Sequence, residues 1–160
     1  MKLQRYFFSF ILFLSFGGGF ASAANSGHPM ISDTHETVSV ELKEGSVMLE
    51  KAVIPNAGKV TFKVKNTGTV AHEMVILKTD FPADALTVAG GKVKEEAVGK
   101  VIGEIEEFSP NLEKEITLNL SAGHYVLFCN VLENGQTEGH YQKGMRAALS
   151  VGIGLPLQEH

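Results

Sequence analysis

The feature that most constrains the fold is a series of short segments in which apolar and polar residues alternate. In TVSVELK (37–43) and KVTFKVKNTG (59–68), every second residue is apolar, so one face of an extended strand would be hydrophobic. Turn residues separate these segments from further candidate strands at 46–54, 70–77, 112–120, 124–131 and 146–152. Strands of this length, broken by turns, predict an all-β sandwich or barrel.

One long segment, 80–109, does not share the alternating pattern. Its central part is compatible with one or two short helices or with a long excursion between sheets. Connections of this length without strand character are unusual and often lie near functional sites. The sequence alone does not place this segment.

The N-terminus has the pattern of a secretory signal peptide. Lys2 and Arg5 precede an apolar run, which ends in the small residues ASAA. A retained membrane anchor is the competing interpretation, but Gly17–Gly19 interrupt an apolar run already shorter than the roughly 20 residues of a spanning helix. We therefore expect a signal peptide at 1–23, a flexible leader at 24–36, one domain at 37–153 and a tail at 154–160. The mature chain would be periplasmic and would not span the membrane.

The charge balance disfavours nucleic acid as a partner. Removing Lys2 and Arg5 from the 14 basic residues leaves 12 against 18 acidic ones, a net charge of −6 with the histidines neutral. Such a surface repels phosphates, and no basic patch with interleaved aromatic residues interrupts it. Acidity keeps a small exported protein soluble, and it would also attract a basic partner.

Cys129 is the only cysteine of the chain, so it has no intramolecular disulfide partner. A free exposed thiol is a liability in an oxidising compartment. Three alternatives follow: the thiol is buried and inert, it pairs with another chain, or a metal holds it as a thiolate.

The residues after Cys129 favour the metal. His140 and Met145 follow it within a stretch of 17 residues. Thiolate sulfur, imidazole nitrogen and a weak axial thioether are the donors of a blue-copper site, which needs a second histidine. His72, at the start of an apolar run, is well placed to supply it. His124 is five residues before Cys129 and would face the opposite side of the strand.

Three sequence segments carry a family resemblance. GHYVLFCNV resembles the strand that leads into the copper-ligand loop of cupredoxins, GHYQKGMRAALSVG is similar to their second-histidine and methionine segment, and VKNTGTVAHEMVIL is similar to the segment of the first histidine. The resemblance covers roughly 37–152, and plastocyanin-, azurin- and sulfocyanin-like exported bacterial domains are the nearest groups. It implies a Greek-key β-sandwich that binds one type 1 copper ion through His72, Cys129, His140 and Met145.

The function that this resemblance implies is electron transfer by a copper ion that cycles between Cu(I) and Cu(II). We expect a monomer that exchanges electrons with redox partner proteins, which the sequence does not name. His140 would lie where electrons enter and leave. Asparagine or backbone N–H groups are expected to support the sulfur, but no role is assigned to Asn130. Glu73 either orients its strand or faces solvent, and we expect it to face solvent.

One departure from the family pattern stands beside His140. Ten residues separate it from Cys129, and LENGQTE (132–138) is an insertion in a spacing that is otherwise short. Asn134-Gly135 is a strong turn signal, so a small hairpin is expected there. Such a hairpin would keep the ligands but alter the surface around His140.

Two other functions remain open at this stage. A copper carrier would use the same ligands for delivery, with slight support from His28, Met30 and His35 in the leader. A metal-free module dimerised through Cys129 is the other. An enzyme is not expected, because a Cys/His hydrolase would need a reactive thiolate and Cys129 falls inside a predicted strand rather than at a helix N-terminus. The carboxylates Glu104, Glu106 and Glu107 are interpreted as a solvated face. His160, in the C-terminal tail, makes a poor ligand.

Overall fold

The computed structural model describes residues 35–153. The signal peptide predicted at 1–23, most of the leader and the tail at 154–160 lie outside this range. No helix of the described part is long and apolar enough to cross a membrane. The elements are β1 (His35–Lys43), β2 (Ser46–Leu49), β3 (Val53–Ile54), β4 (Gly58–Asn66), β5 (His72–Lys78), β6 (Val88–Ala89), β7 (Lys92–Val93), α1 (Glu95–Val98), β8 (Lys100–Phe108), β9 (Glu113–Leu120), β10 (Gly123–Phe128) and β11 (Arg146–Val151).

Two mixed sheets form the body of the described domain. The first has the order β2-β1-β4-β9, in which β1 and β4 run parallel. The second has the order β3-β11-β10-β5-β8, and β6 pairs with β7 in a separate small ribbon. The alternating segments at 37–43 and 59–68 lie in β1 and β4, so the prediction of an all-β sandwich is confirmed.

The main core lies between the two sheets, where the apolar faces of their strands meet. Val38, Phe62, Ile76 and Leu127 each expose 0% of their surface. Cys129 and Met145 belong to this same cluster. Two of the four copper-ligand candidates therefore belong to the core itself.

A second apolar cluster covers the outer face of the second sheet. Val75, Leu77, Val126 and Phe128 point to that side, and residues of the segment between β5 and β8 pack on them. This arrangement explains why VIL in β5 does not alternate, since strand residues buried on both faces read as a continuous apolar run. Part of the unplaced segment 80–109 is therefore a cover for this sheet.

The structure corrects several strand predictions. The stretch 46–54 is not one strand, because β2 pairs with β1 in one sheet while β3 pairs with β11 in the other. The segment 80–109 contains the nine-residue strand β8, and β1 begins two residues inside the predicted leader. β10 ends at Phe128, so Cys129 follows the strand instead of lying inside it.

Candidate metal centre

The segment from Cys129 to Met145 begins and ends at neighbouring antiparallel strands. Phe128, the last residue of β10, is paired with Arg146, the first residue of β11. Backbone hydrogen bonds then fix the residues between them: the Cys129 N–H donates to the Met145 carbonyl (3.1 Å) and the Met145 N–H to the His140 carbonyl (3.0 Å). The three candidate ligands of this segment are thus held together by main-chain contacts.

His72, the first residue of β5, is brought to the same place because β5 pairs with β10. Its Nδ1 lies 3.1 Å from Nδ1 of His140 and 4.0 Å from Sγ of Cys129. The remaining distance, from Cys129 Sγ to His140 Nδ1, is 3.4 Å. His72 and His140 are 68 residues apart in the chain, and the fold brings their rings into contact.

These distances fit the donor set of one transition-metal ion. At trigonal angles, a nitrogen about 2.0 Å and a sulfur about 2.3 Å from a common ion are about 3.7 Å apart, which lies between the two observed nitrogen–sulfur distances, and two such nitrogens are about 3.5 Å apart. His72, Cys129 and His140 form a group of three buried metal-binding side chains within the described residues. Soft sulfur with two imidazoles is a donor set that suits copper.

Burial sets the protonation of the metal-free site. The thiol of Cys129 is fully buried, and this raises its pKa to about 11. Burial, together with the neighbouring His140, lowers the pKa of His72, so its imidazole is neutral. A neutral imidazole is the ligating form, whereas the thiol must lose its proton when a metal binds.

Met145 lies beside the histidines and is 1% exposed. It lines one small cavity together with both imidazoles, and the other residues around that cavity are Glu44, Gly45, Val70, Glu133 and Lys143. The structure therefore brings all four sequence-predicted residues into one neighbourhood.

Glu44, which the sequence analysis did not single out, fixes the loop before His72. One of its carboxylate oxygens accepts hydrogen bonds from the Thr69 N–H (2.5 Å), the Thr69 hydroxyl (3.0 Å) and the Val70 N–H (3.1 Å). Led by the Thr69 backbone, these bonds lower the pKa of Glu44 to about 2. The same oxygen lies 3.8 Å from Nε2 of His72. No sequence motif marks this contact, because it joins a turn to a loop 25 residues away.

The insertion places a second carboxylate beside His140. Glu133 Oε2 lies 3.8 Å from Nε2 of His140 and 3.8 Å from Nζ of Lys143. The His140 N–H donates to the Val131 carbonyl at 2.8 Å. This hydrogen bond closes residues 132–139 into a side loop of the ligand segment. His140 itself is only 4% exposed, which shows how closely its surroundings cover it.

The expectation that Glu73 faces solvent was wrong. Its carboxylate accepts a hydrogen bond from the Asn130 N–H at 2.9 Å, its own N–H points at Cys129 Sγ (3.5 Å), and burial raises its pKa. The Asn130 amide in turn accepts from the Val93 N–H at 2.7 Å and donates to Glu95 Oε1 at 2.9 Å. Asn130 therefore connects the cysteine end of the loop to the segment between β5 and β8, and Glu73 connects that end to β5.

The remaining described histidines lie away from this centre. His124 is exposed in β10 and contacts Ser150 at 3.3 Å, as the strand parity predicted. His35, expected in a flexible leader, is part of β1 and contacts the Thr61 hydroxyl at 2.8 Å.

The sequence of the chain matches one protein family over most of its length. The model of the Sulfocyanin (SoxE) domain matches residues 34–156. The chain belongs to the sulfocyanin family. Sulfocyanins are cupredoxins, so the cofactor is copper and the chain is a blue-copper electron-transfer protein.

Solved structures similar to this sulfocyanin domain include auracyanin from Roseiflexus castenholzii (21% identity, 74% of this chain and 96% of that chain, TM-score 0.48). Auracyanin A, a "blue" copper protein from Chloroflexus aurantiacus, has 20% identity over 74% of this chain and 99% of that chain, with a TM-score of 0.49. Rusticyanin from Thiobacillus ferrooxidans has 19% identity over 72% and 77%, with a TM-score of 0.48. No curated protein sequence matches the chain.

Proposed function

We propose that this protein is an exported one-electron carrier, not an enzyme, whose copper is held by His72, Cys129, His140 and Met145. The observation that carries the proposal is the convergence of two imidazole nitrogens and one thiol sulfur within 4.8 Å of one another. When bound, copper supplies a Cu(I)/Cu(II) couple. Export rests on the signal-peptide pattern at 1–23, and the redox partner proteins are unidentified.

Each proposed ligand has a distinct task. Cys129 would lose its thiol proton and hold copper as a soft thiolate, which suits Cu(I), and the imidazoles of His72 and His140 would serve both oxidation states. Met145 would supply a thioether sulfur, a weak donor that adjusts the potential. Because strands and backbone hydrogen bonds hold these residues in the metal-free protein, little rearrangement accompanies a change of charge.

The absorption spectrum of the copper-loaded mature protein tests the proposal. We expect an intense blue or green colour that disappears reversibly on one-electron reduction. A site that is colourless and binds only Cu(I) would instead favour the copper carrier, which has also lost the support of His35.

Substitutions separate the four ligands from one another. Cys129→Ser should abolish the colour, and His72→Ala or His140→Ala should open the site to ligands from solvent. Met145→Leu should keep the colour and shift the reduction potential. His124→Ala is the matched control, since His124 is exposed on the face of β10 opposite to Cys129. If His124→Ala lost copper while His72→Ala retained it, the ligand assignment would be overturned.

A further inference from the structure

We propose that Glu44 and Glu133 are a pair of positioning residues, one for each histidine, which orient the imidazoles and bias the site towards oxidised copper. This inference rests on the proposed ligand set. It also assigns a role to the insertion at 132–138, because Glu133, the residue proposed to orient His140, belongs to that insertion.

Both imidazoles present the same edge to the centre. Nδ1 of His72 and Nδ1 of His140 are the nitrogens nearest to Cys129 Sγ, at 4.0 and 3.4 Å. A metal bound at Nδ1 leaves the ring proton on Nε2, and that N–H needs a partner to fix the ring. The atoms that face the two Nε2 positions are therefore the ones that orient the ligands.

A carboxylate faces each Nε2. Glu44 Oε1 and Glu133 Oε2 both lie 3.8 Å from the Nε2 that they face. This separation is too long for a direct hydrogen bond, so the carboxylates act through their charge. His72 Nε2 is fully buried and has no hydrogen-bond partner, which leaves Glu44 as the negative charge closest to it among the described contacts.

Glu44 is held in place for this task. The three hydrogen bonds from Thr69 and Val70 fix its carboxylate, and they keep the loop before His72 in register with the turn between β1 and β2. Gly68 leaves the necessary room: a Cβ there would lie 2.7 Å from Glu44 Oε1 and 2.8 Å from His72 Nε2. The loop thus brings the imidazole and the carboxylate together without a side chain between them.

The Glu133 side chain is 42% exposed, and packing holds the insertion on either side of it. Gly91 lies in the turn of the β6–β7 ribbon, tightly against the insertion. A Cβ added at this position would lie 2.9 Å from both the Leu132 side chain and the Thr137 carbonyl oxygen. Gly139 is packed against the carbonyl of that same Gly91. The insertion and the β6–β7 ribbon therefore support each other, and Lys143 contacts Glu133 from the other side.

The sign of the electrostatic effect follows from the charge of the two copper states. A negative charge beside the imidazole N–H stabilises Cu(II) more than Cu(I), because Cu(II) carries the larger positive charge. Removing that charge should raise the reduction potential.

The experiment compares charge-neutralising variants with controls elsewhere on the same elements. Glu44→Gln and Glu133→Gln are paired with Glu41→Gln in β1 and Glu138→Gln in the insertion. All four glutamates are exposed, but among the described ion pairs only Glu44 and Glu133 lie beside an imidazole. We expect upward shifts of the reduction potential in the first pair that clearly exceed those of the second pair. Equal shifts in test and control variants would overturn the inference.

A second measurement needs no electron transfer. In the diamagnetic Cu(I) form, NMR of ¹⁵N-labelled imidazoles should show Nε2–H resonances for both histidines that move in Glu44→Gln and Glu133→Gln, each at its own ring. In the metal-free protein, Glu44→Ala should speed amide exchange at Thr69 and Val70 about tenfold or more, since charge-assisted hydrogen bonds are lost. If Glu44→Gln restores the slow amide exchange but leaves the reduction potential shifted, the hydrogen bonds of Glu44 position the loop and its negative charge sets the potential.

The outcomes also distinguish this inference from the proposed function. A wild-type protein without a blue copper spectrum contradicts the function itself. If the wild-type protein is blue but Glu44→Gln and Glu133→Gln change neither its reduction potential nor its imidazole resonances, only the inference is contradicted.

Discussion

At the scale of single residues, burial decides how Cys129 behaves. Its side chain is fully buried at the end of β10, where the Glu73 N–H points at the sulfur. A disulfide to a second chain would require this end of the domain to open. The unpaired thiol is therefore better explained by a metal than by a dimer.

We expect the Cys129 thiol of the metal-free native protein to resist alkylation. A pKa of about 11 leaves roughly one thiol in ten thousand ionised at neutral pH, and burial blocks the reagent as well. Iodoacetamide labelling followed by mass spectrometry checks this, with the denatured protein as the reactive control. Rapid labelling of the native protein, or a covalent dimer that reductant dissolves, would contradict it.

At the scale of elements, β8 shows where sequence patterns stop being informative. His72 pairs with Phe108 while Met74 pairs with Ile105, so β8 carries an extra residue there, and a second irregularity follows near Val101. Bulges shift the parity of a strand, which is why Ile105 and Phe108 are both buried although they are three residues apart. The alternation that revealed β1 and β4 is absent from β8 for this physical reason.

The candidate site was more predictable than β8. Cys129, His140 and Met145 lie close in sequence, and their residue types by themselves indicate the chemistry of a copper site. The roles of Glu44, Glu73 and Asn130 were not predicted, because they depend on contacts between distant segments, as in the hydrogen bond from Val93 to Asn130. The sequence does not show whether a polar residue beside a ligand faces solvent or forms hydrogen bonds that hold the ligand loop.

We expect Asn130→Ala to destabilise the domain by about 2 kcal/mol. The substitution leaves the buried Val93 N–H without its acceptor and removes the hydrogen bond from the Asn130 amide to the Val93 carbonyl. Chemical denaturation of the metal-free protein measures the change in the free energy of unfolding. Asn119→Ala, at an exposed position in β9, should stay within about 0.5 kcal/mol of wild type; equal losses in the two variants would refute the bracing role of Asn130.

At the scale of the whole molecule, the metal site ties the two halves of the chain together. His72 comes from the start of β5, the other three proposed ligands come from the segment between β10 and β11, and Glu44 reaches in from the first sheet. A ligand that binds only the folded state stabilises it by mass action. Copper should therefore stabilise the domain as a whole and not only its own loop.

We expect copper to raise the thermal midpoint of unfolding by about 10 °C or more. At a free concentration about a thousand times the dissociation constant, binding adds about 4 kcal/mol, and each kcal/mol shifts the midpoint of a domain of this size by about 3 °C. Thermal scans with copper, and again after chelation, measure the difference. Cys129→Ser should lose most of the increase, and an unchanged increase in that variant would place the copper elsewhere.

The bond between the His140 N–H and the Val131 carbonyl has a practical consequence for protein engineering. This hydrogen bond joins the two ends of the loop 132–139. Foreign peptides inserted into the loop should therefore leave the geometry of the ligands intact. Asn134 and Gly135, at the exposed tip, offer a natural splice point that retains Glu133. An electrode tether or a reporter attached there would stand within one short loop of the histidine through which electrons are expected to pass.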